Sequence, residues 1–367
     1  MAPPTQLISC SIIEKDLNGD TLWTWTYPSV TDDQKTIITR KYNLQSEHCS
    51  TQSFVFSHYN NEWFYINSSE VFDTDKLPRV KQFALILFTK DYNPQKYEVL
   101  CRVLSKMYCK TGNPVEILKL YLSVFTNGSC TTEENGIYNS DDYNLSHLNS
   151  DTNIRDLIKT FELETILIYN ALLLKKRIVV YHHSLEQLFK WIRTFPALMK
   201  HRDVTDNLIP WIDLNADEIQ DLKMCAHLIF IIKMTLFQSN AYYIAGCRDS
   251  AVALKPELYD LLVNIPAREI TIAPHAKESF IMTKTHKEIA LFMIQLCEKT
   301  SSELQITNEI ADKTQDLLNQ LKNIATVDDS GKKILTVQTI RNRSFPIAVE
   351  NFLVNLATAE QFFNNSL

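Results

Sequence analysis

Apolar and polar positions alternate through the opening of the chain, so Leu7 to Glu14 and Thr21 to Tyr27 read as two strands bracketing Lys15-Asp16-Leu17-Asn18-Gly19-Asp20. Asn-Gly supplies the positive φ that a tight reversal needs, which makes the pair a hairpin. Thr31 followed by Asp32 and Asp33 has the chemistry of a helix start, because a hydroxyl and early carboxylates satisfy free amides and the helix dipole; the helical run reaches Tyr42. Phe54 to Tyr59 and Trp63 to Asn67 flank Asn60-Asn61-Glu62 as a second hairpin, and Phe83 to Thr89 is apolar nearly throughout, as in a strand buried on both faces. Pro94 opens a helix through Tyr108 that stops near Gly112, and Pro114 opens another through Phe125. The predicted order is ββαβββαα.

Residues 127–150 change character: Asn, Ser, Thr, Asp and Gly dominate, with Glu133, Glu134, Asp141 and Asp142 and no Lys or Arg. They read as an acidic linker between a first lobe, 1–126, and a second, 151–367. The second lobe begins with helices from Asp151 and through Leu174. It turns at Lys175-Lys176-Arg177 into the β-branched strand Ile178 to Tyr181. Ser184 caps a helix to Thr194, strands follow at Leu208–Ile212, Tyr242–Ala245, Leu261–Val263 and Glu269–Ile272, and Asp213 to Ala216 leads into a helix. Ile289, Phe292, Met293 and Leu296 then form one helical stripe, Ile310, Leu317, Leu318 and Leu321 a second, and Pro346 starts a last helix through Phe363. Asp328 to Gly331 is a turn among these helices. The fold class is α/β, closing in helices.

Composition narrows the chemistry. At 367 residues, with 45% hydrophobic and 22% charged, the chain holds enough apolar mass for two folded lobes. A net charge of −6 without a basic cluster argues against nucleic acid and against direct adhesion to an anionic leaflet. No apolar run approaches the roughly 18 residues of a spanning helix, so membrane contact is expected to be indirect. Eight cysteines lie scattered without a CxxC pair, the pattern of reduced thiols.

No GxSxG, HExxH or phosphate-cradling glycine loop occurs among the six glycines, so no catalytic residue, cofactor site or metal site is assigned. His182-His183 are neighbours on a strand end, expected on opposite faces and without a third ligand. Cys101 and Cys109 are read as packing thiols on one helix. Lys175-Lys176-Arg177 reads as a cationic helix end, with acidic groups on a partner as the other use. The candidate site residues are Trp23, Trp25 and Tyr27. Period-two alternation puts them on one sheet face with Leu22, Thr24 and Thr26 on the other, where they serve either as core or as an anchor for a protein partner.

The ββαβββαα order resembles a longin fold. The stretch Ala171-Leu-Leu-Leu-Lys-Lys-Arg-Ile-Val-Val-Tyr-His resembles the strand-entry motif of DENN domains. Tyr242-Tyr243-Ile244-Ala245-Gly246, followed by Glu257-Leu258-Tyr259-Asp260 and Val263-Asn264, resembles a further strand of that family, although Cys225 to Ala241 is a longer link than the family's. The resemblance implies a longin-like lobe at 1–126 and a DENN lobe at 151–367. It further implies a cytoplasmic protein, peripheral on late endosomes, that promotes GDP/GTP exchange on Rab-type small GTPases. The other role implied is a non-catalytic subunit docked on a coiled-coil scaffold of an endosomal recycling complex.

Overall fold

In the computed structural model the chain divides into two compact units, Met1–Leu148 and Asn149–Leu367. The structure describes residues 6–47, 53–59, 62–72, 75–133, 136–143, 152–216, 218–220, 222, 242–327 and 333–363.

The first unit follows the expected order: β1 (Leu7–Asp16), β2 (Thr21–Tyr27), α1 (Asp32–Glu47), β3 (Phe54–Tyr59), β4 (Glu62–Glu70), β5 (Val80–Thr89), α2 (Pro94–Thr111) and α3 (Pro114–Asn127). Its antiparallel sheet runs β2-β1-β5-β4-β3. The β1–β2 turn is closed by Asp16, whose Oδ1 accepts from the Asn18 and Asp20 amides at 2.8 Å, with Gly19 at φ +96°. Thr31 and Gln34 cap α1 reciprocally. The Thr31 amide donates to Gln34 Oε1 at 2.8 Å and the Gln34 amide to Thr31 Oγ1 at 3.2 Å. Asn93 and Asn113 accept from the first-turn amides of α2 and α3, and Gly112 and Gly128 end those helices in the left-handed region. Both faces of the sheet are buried. Phe83 meets Tyr108 of α2 at 5.0 Å, whereas Ala84, Ile86 and Phe88 point to the other side.

Within residues 127–150, read as an acidic linker, the described residues include ordered structure. β6 (Ser129–Thr132) pairs with β7 (Gly136–Asn139), and Asn93 Nδ2 donates to the Tyr143 carbonyl at 2.9 Å. Ser123 Oγ donates to the Ser129 carbonyl at 2.8 Å, fastening β6 to α3.

The second unit has α4 (Ile154–Phe161), α5 (Thr165–Leu173), β8 (Ile178–Tyr181), α6 (Leu185–Ile192), α7 (Thr194–Ala197), β9 (Leu208–Ile212), β10 (Ile244–Cys247), β11 (Leu261–Asn264) and β12 (Glu269–Ile272). After these come α8 (Lys284–Lys299), α9 (Glu303–Lys322), the short pair β13 (Thr326–Val327) and β14 (Lys333–Ile334), α10 (Val337–Arg341) and α11 (Ile347–Ala359). The sheet order is β12-β11-β8-β10-β9, with β11, β8, β10 and β9 parallel and β12 antiparallel. The unit is therefore α/β with closing helices, as expected. β10 begins two residues later than expected, at Ile244; the expected link Cys225 to Ala241 and the turn Asp328 to Gly331 lie outside the described residues. Gly246 has no substitute, because a Cβ there would stand 2.1 Å from the Pro210 carbonyl oxygen on β9.

α5 ends in a Schellman turn with Lys175, at φ +52°, in the position glycine usually takes; the Lys176 amide donates to the Ala171 carbonyl at 2.9 Å. Arg177 is consumed within the fold. Its amide and guanidinium each donate to Asp260 at 2.8 Å, joining the entrance of β8 to that of β11. Arg202 donates to the Leu172 and Leu173 carbonyls at the end of α5 and pairs with Glu360 beyond α11.

His286 occupies the third position of α8 and caps it. The Thr283 amide donates to His286 Nδ1 at 3.1 Å while the ring lies edge-on to Phe352 of α11, 4.4 Å away. Burial pushes its pKa down from 6.5 to about 4. The unfolded chain therefore binds the proton first, and the stability held above pH 6.5 drains away as pH falls toward 4. Urea titrations are expected to show about 2 kcal/mol lost between pH 6.5 and about pH 5. In His286→Gln, which keeps the capping acceptor without titrating, that share of the pH dependence is expected to be lost.

Candidate functional site

The pairing of β1 with β2 decides where the three candidate aromatics point. Cys10 faces Tyr27, Ile12 faces Trp25, and Ile13 faces Trp23. One step along β1 thus corresponds to two along β2, so Thr24 is an extra residue, a bulge. Directly opposed residues share a face, and Ile12 and Ile13 are on opposite faces. The expectation that Trp23, Trp25 and Tyr27 share one face is therefore corrected: the bulge sends Trp23 to the other side.

Side-chain contacts agree. Trp23 Nε1 donates to Thr39 Oγ1 of α1 at 3.2 Å. Tyr27 packs edge-on against Tyr121 of α3, ring centroids 6.0 Å apart. Trp23 and Trp25 are half-buried and Tyr27 is 36% exposed, so none is a fully buried core residue. Leu22, beside them on this edge strand, is 60% exposed.

The structure adds residues that the strand pattern did not reveal. Tyr121 is buried beneath Tyr27 and stacks on Phe125 at 6.3 Å with ring planes 20° apart; Phe125 is 46% exposed. Tyr27, Tyr121 and Phe125 form a ladder of rings from the sheet edge to the end of α3, exposed at both ends. α3 buries Ile117, Tyr121 and Val124, yet Val115, Leu118, Leu122 and Phe125 line a second stripe, with Val115 53% exposed. The signal was present in the sequence, since α3 carries more apolar residues than one buried face requires.

The remaining sequence candidates resolve as structure. His182 and His183 do not point apart: their rings stack at 4.5 Å, because the strand ends at Tyr181 and strict alternation ends with it. His182 Nδ1 accepts from the Ser184 amide at 2.9 Å. Cys101 is buried and Cys109 half-buried, with burial raising both thiols, the state of inert packing cysteines. Among the described residues no group of three His, Cys, Asp or Glu side chains converges as a metal site. Among them, too, no helix is long and apolar enough to cross a membrane.

Comparison with known proteins bears on what such a scaffold is. Residues 151–274 match the family described as stabilization of polarity axis, SPA. DENN domain-containing protein 10 of Homo sapiens is 40% identical over 360 residues, 97% of each chain. The proteins of that name in Danio rerio and Dictyostelium discoideum are 37% and 31% identical, covering 98% and 96% of this chain and 99% and 96% of their own. The chain belongs to the DENN domain-containing protein 10 family.

Tyr121 offers a direct check of the ring ladder. Its hydroxyl is buried without a hydrogen-bond partner among the described residues, so Tyr121→Phe is expected to leave stability unchanged or slightly raised. Tyr121→Ala removes the ring beneath Tyr27 and is expected to cost about 3–5 kcal/mol in chemical denaturation.

Proposed function

We propose that this DENN family member regulates Rab-type small GTPases, promoting exchange of GDP for GTP in late endosomal trafficking, where it sits peripherally through its partners. The observation that carries the reading is family membership along nearly the whole length of the chain and of its relatives. Exchange needs no reactive side chain. A protein that binds the nucleotide-free GTPase more tightly than the loaded one must, by reciprocity of binding free energies, weaken nucleotide affinity. Shape and non-covalent contacts supply the difference.

A second reading rests on the exposed rings. Trp25 and Tyr27 at the sheet edge, continued by Tyr121 to Phe125, have the composition of a protein-binding hot spot. The stripe Val115, Leu118, Leu122 and Phe125 has the 3-4-3 spacing on which another helix packs. We propose that this edge docks a coiled-coil scaffold of an endosomal recycling complex. Trp23, turned to α1, supports the edge and does not itself contact the partner. The two roles can coexist on separate surfaces.

Release of a fluorescent GDP analogue from a panel of Rab proteins tests the first reading: accelerated release from at least one member at micromolar protein is expected, and no acceleration from any rejects exchange. Trp25→Asp combined with Tyr27→Ser tests the second. Loss of coiled-coil partner capture with a near wild-type melting temperature is expected, whereas capture at the wild-type level rejects the docking edge.

A further inference from the structure

Four serine or threonine residues stand three positions after an arginine: Ser105, Thr205, Thr271 and Ser344. Ser105 is 3% exposed and accepts a hydrogen bond from Asn67 Nδ2 at 2.9 Å. Thr205 Oγ1 is tied to Asp203 at 2.6 Å, and its arginine, Arg202, is occupied by Glu360. Thr271 lies within β12 and is laddered to β11. Ser344 differs from all three.

Ser344 is exposed in the turn between α10 and α11, and a second arginine, Arg343, directly precedes it. Arg341, Asn342 and Arg343 are also exposed, the Arg341 side chain to 61%. The turn is held by its own backbone: the Ser344 amide donates to the Arg341 carbonyl at 3.0 Å, and Ser344 takes φ +53°. The Ser344 hydroxyl makes no hydrogen bond among the described residues.

An arginine pair around an accessible hydroxyl is what an arginine-directed protein kinase reads, because carboxylates lining such a kinase's substrate cleft take guanidinium groups through charge-assisted, bidentate contacts. We infer that Ser344 is a phosphorylation site for a kinase of this class, with Arg341 and Arg343 as its recognition residues. In the transfer, Ser344 Oγ bonds to the γ-phosphorus of magnesium-ATP, the bond from that phosphorus to the β-phosphate oxygen breaks, and ADP leaves. The hydroxyl proton passes to the kinase's catalytic carboxylate.

The surroundings accept the product. Pro346 is the cap residue of α11 and offers no side-chain acceptor, so a phosphate just before it complements the positive end of that helix. Arg341 Nε currently donates to Glu350 Oε1 of α11 at 3.2 Å; a phosphate of charge about −1.5 to −2 competes with Glu350 for it. The modification thus acts at the junction of α10 and α11 while leaving the fold intact.

The test incubates the purified full-length chain with magnesium-ATP and an active kinase domain of the calcium/calmodulin-dependent class, and maps phosphate by mass spectrometry. Phosphate on Ser344 is expected, absent in Ser344→Ala and incorporated about tenfold more slowly or worse in Arg341→Ala, the loss of one charge-assisted contact. Melting temperatures of both variants are expected to match wild type, which separates lost recognition from lost folding. Three results overturn the inference: phosphate confined to other residues, incorporation at Ser344 indifferent to Arg341, or modification of a free 337–350 peptide but not of the folded chain.

Discussion

The constraint on which both units depend is that the central strands of each sheet must be shielded on two faces. β5 buries Phe83 through Phe88 without interruption, and β8 buries Ile178, Val179 and Val180 in succession. Strands of this kind are stable only when helices cover both sides, because each apolar side chain left in water forfeits roughly 1.5–3 kcal/mol. In the first unit α1 takes one side and α2 with α3 the other. With both faces of the first sheet committed to core, the exposed rings are found at the sheet edge and on the outward side of α3.

The charged groups follow a similar economy. Arg177 with Asp260, and Arg202 with Glu360 and His201, are largely withdrawn from water and tie one element to another. The nearby guanidinium, together with hydrogen bonds, holds the Asp260 carboxyl below its ordinary range against the opposing effect of burial; Glu360 is held down by hydrogen bonding to His201 and by Arg202. Such pairs fix geometry more than they add stability, and removing one partner leaves the other charge stranded. Of the basic triplet before β8, Arg177 already holds an acid within the fold.

Much of the first unit was legible because its signals are local. Asn-Gly, Thr31 with its acids, and the Pro-in, Gly-out punctuation of α2 and α3 act within a few residues of themselves, so the helix starts hold, whereas bounds shift at strand ends and at helix C-termini, most at α1, which runs to Glu47 and not to Tyr42. The second unit was readable where a β-branched run stands between helices, as at Ile178 to Tyr181. The direction of Trp23 was not readable. It depends on how many residues of β2 oppose each step of β1, a count that exists only once the strands have paired. The stacking of His182 on His183 was hidden for a related reason, because alternation holds within a strand and says nothing past its last ladder bond. The fastening of Ser129 to α3 and of Tyr143 to the start of α2 depends on contacts with Ser123 and Asn93, which composition alone does not announce.

The bulge at Thr24 also bears on solubility. β2 is a terminal strand carrying two tryptophans and a tyrosine, the kind of border onto which another molecule's strand can zip to seed aggregates. An extra residue in mid-strand breaks the even spacing of outward amides and carbonyls and coils the border more tightly, so a flat incoming strand finds few partners in register. The same irregularity that splits the aromatics between two sides thereby makes the margin that carries these rings a poor template for backbone pairing.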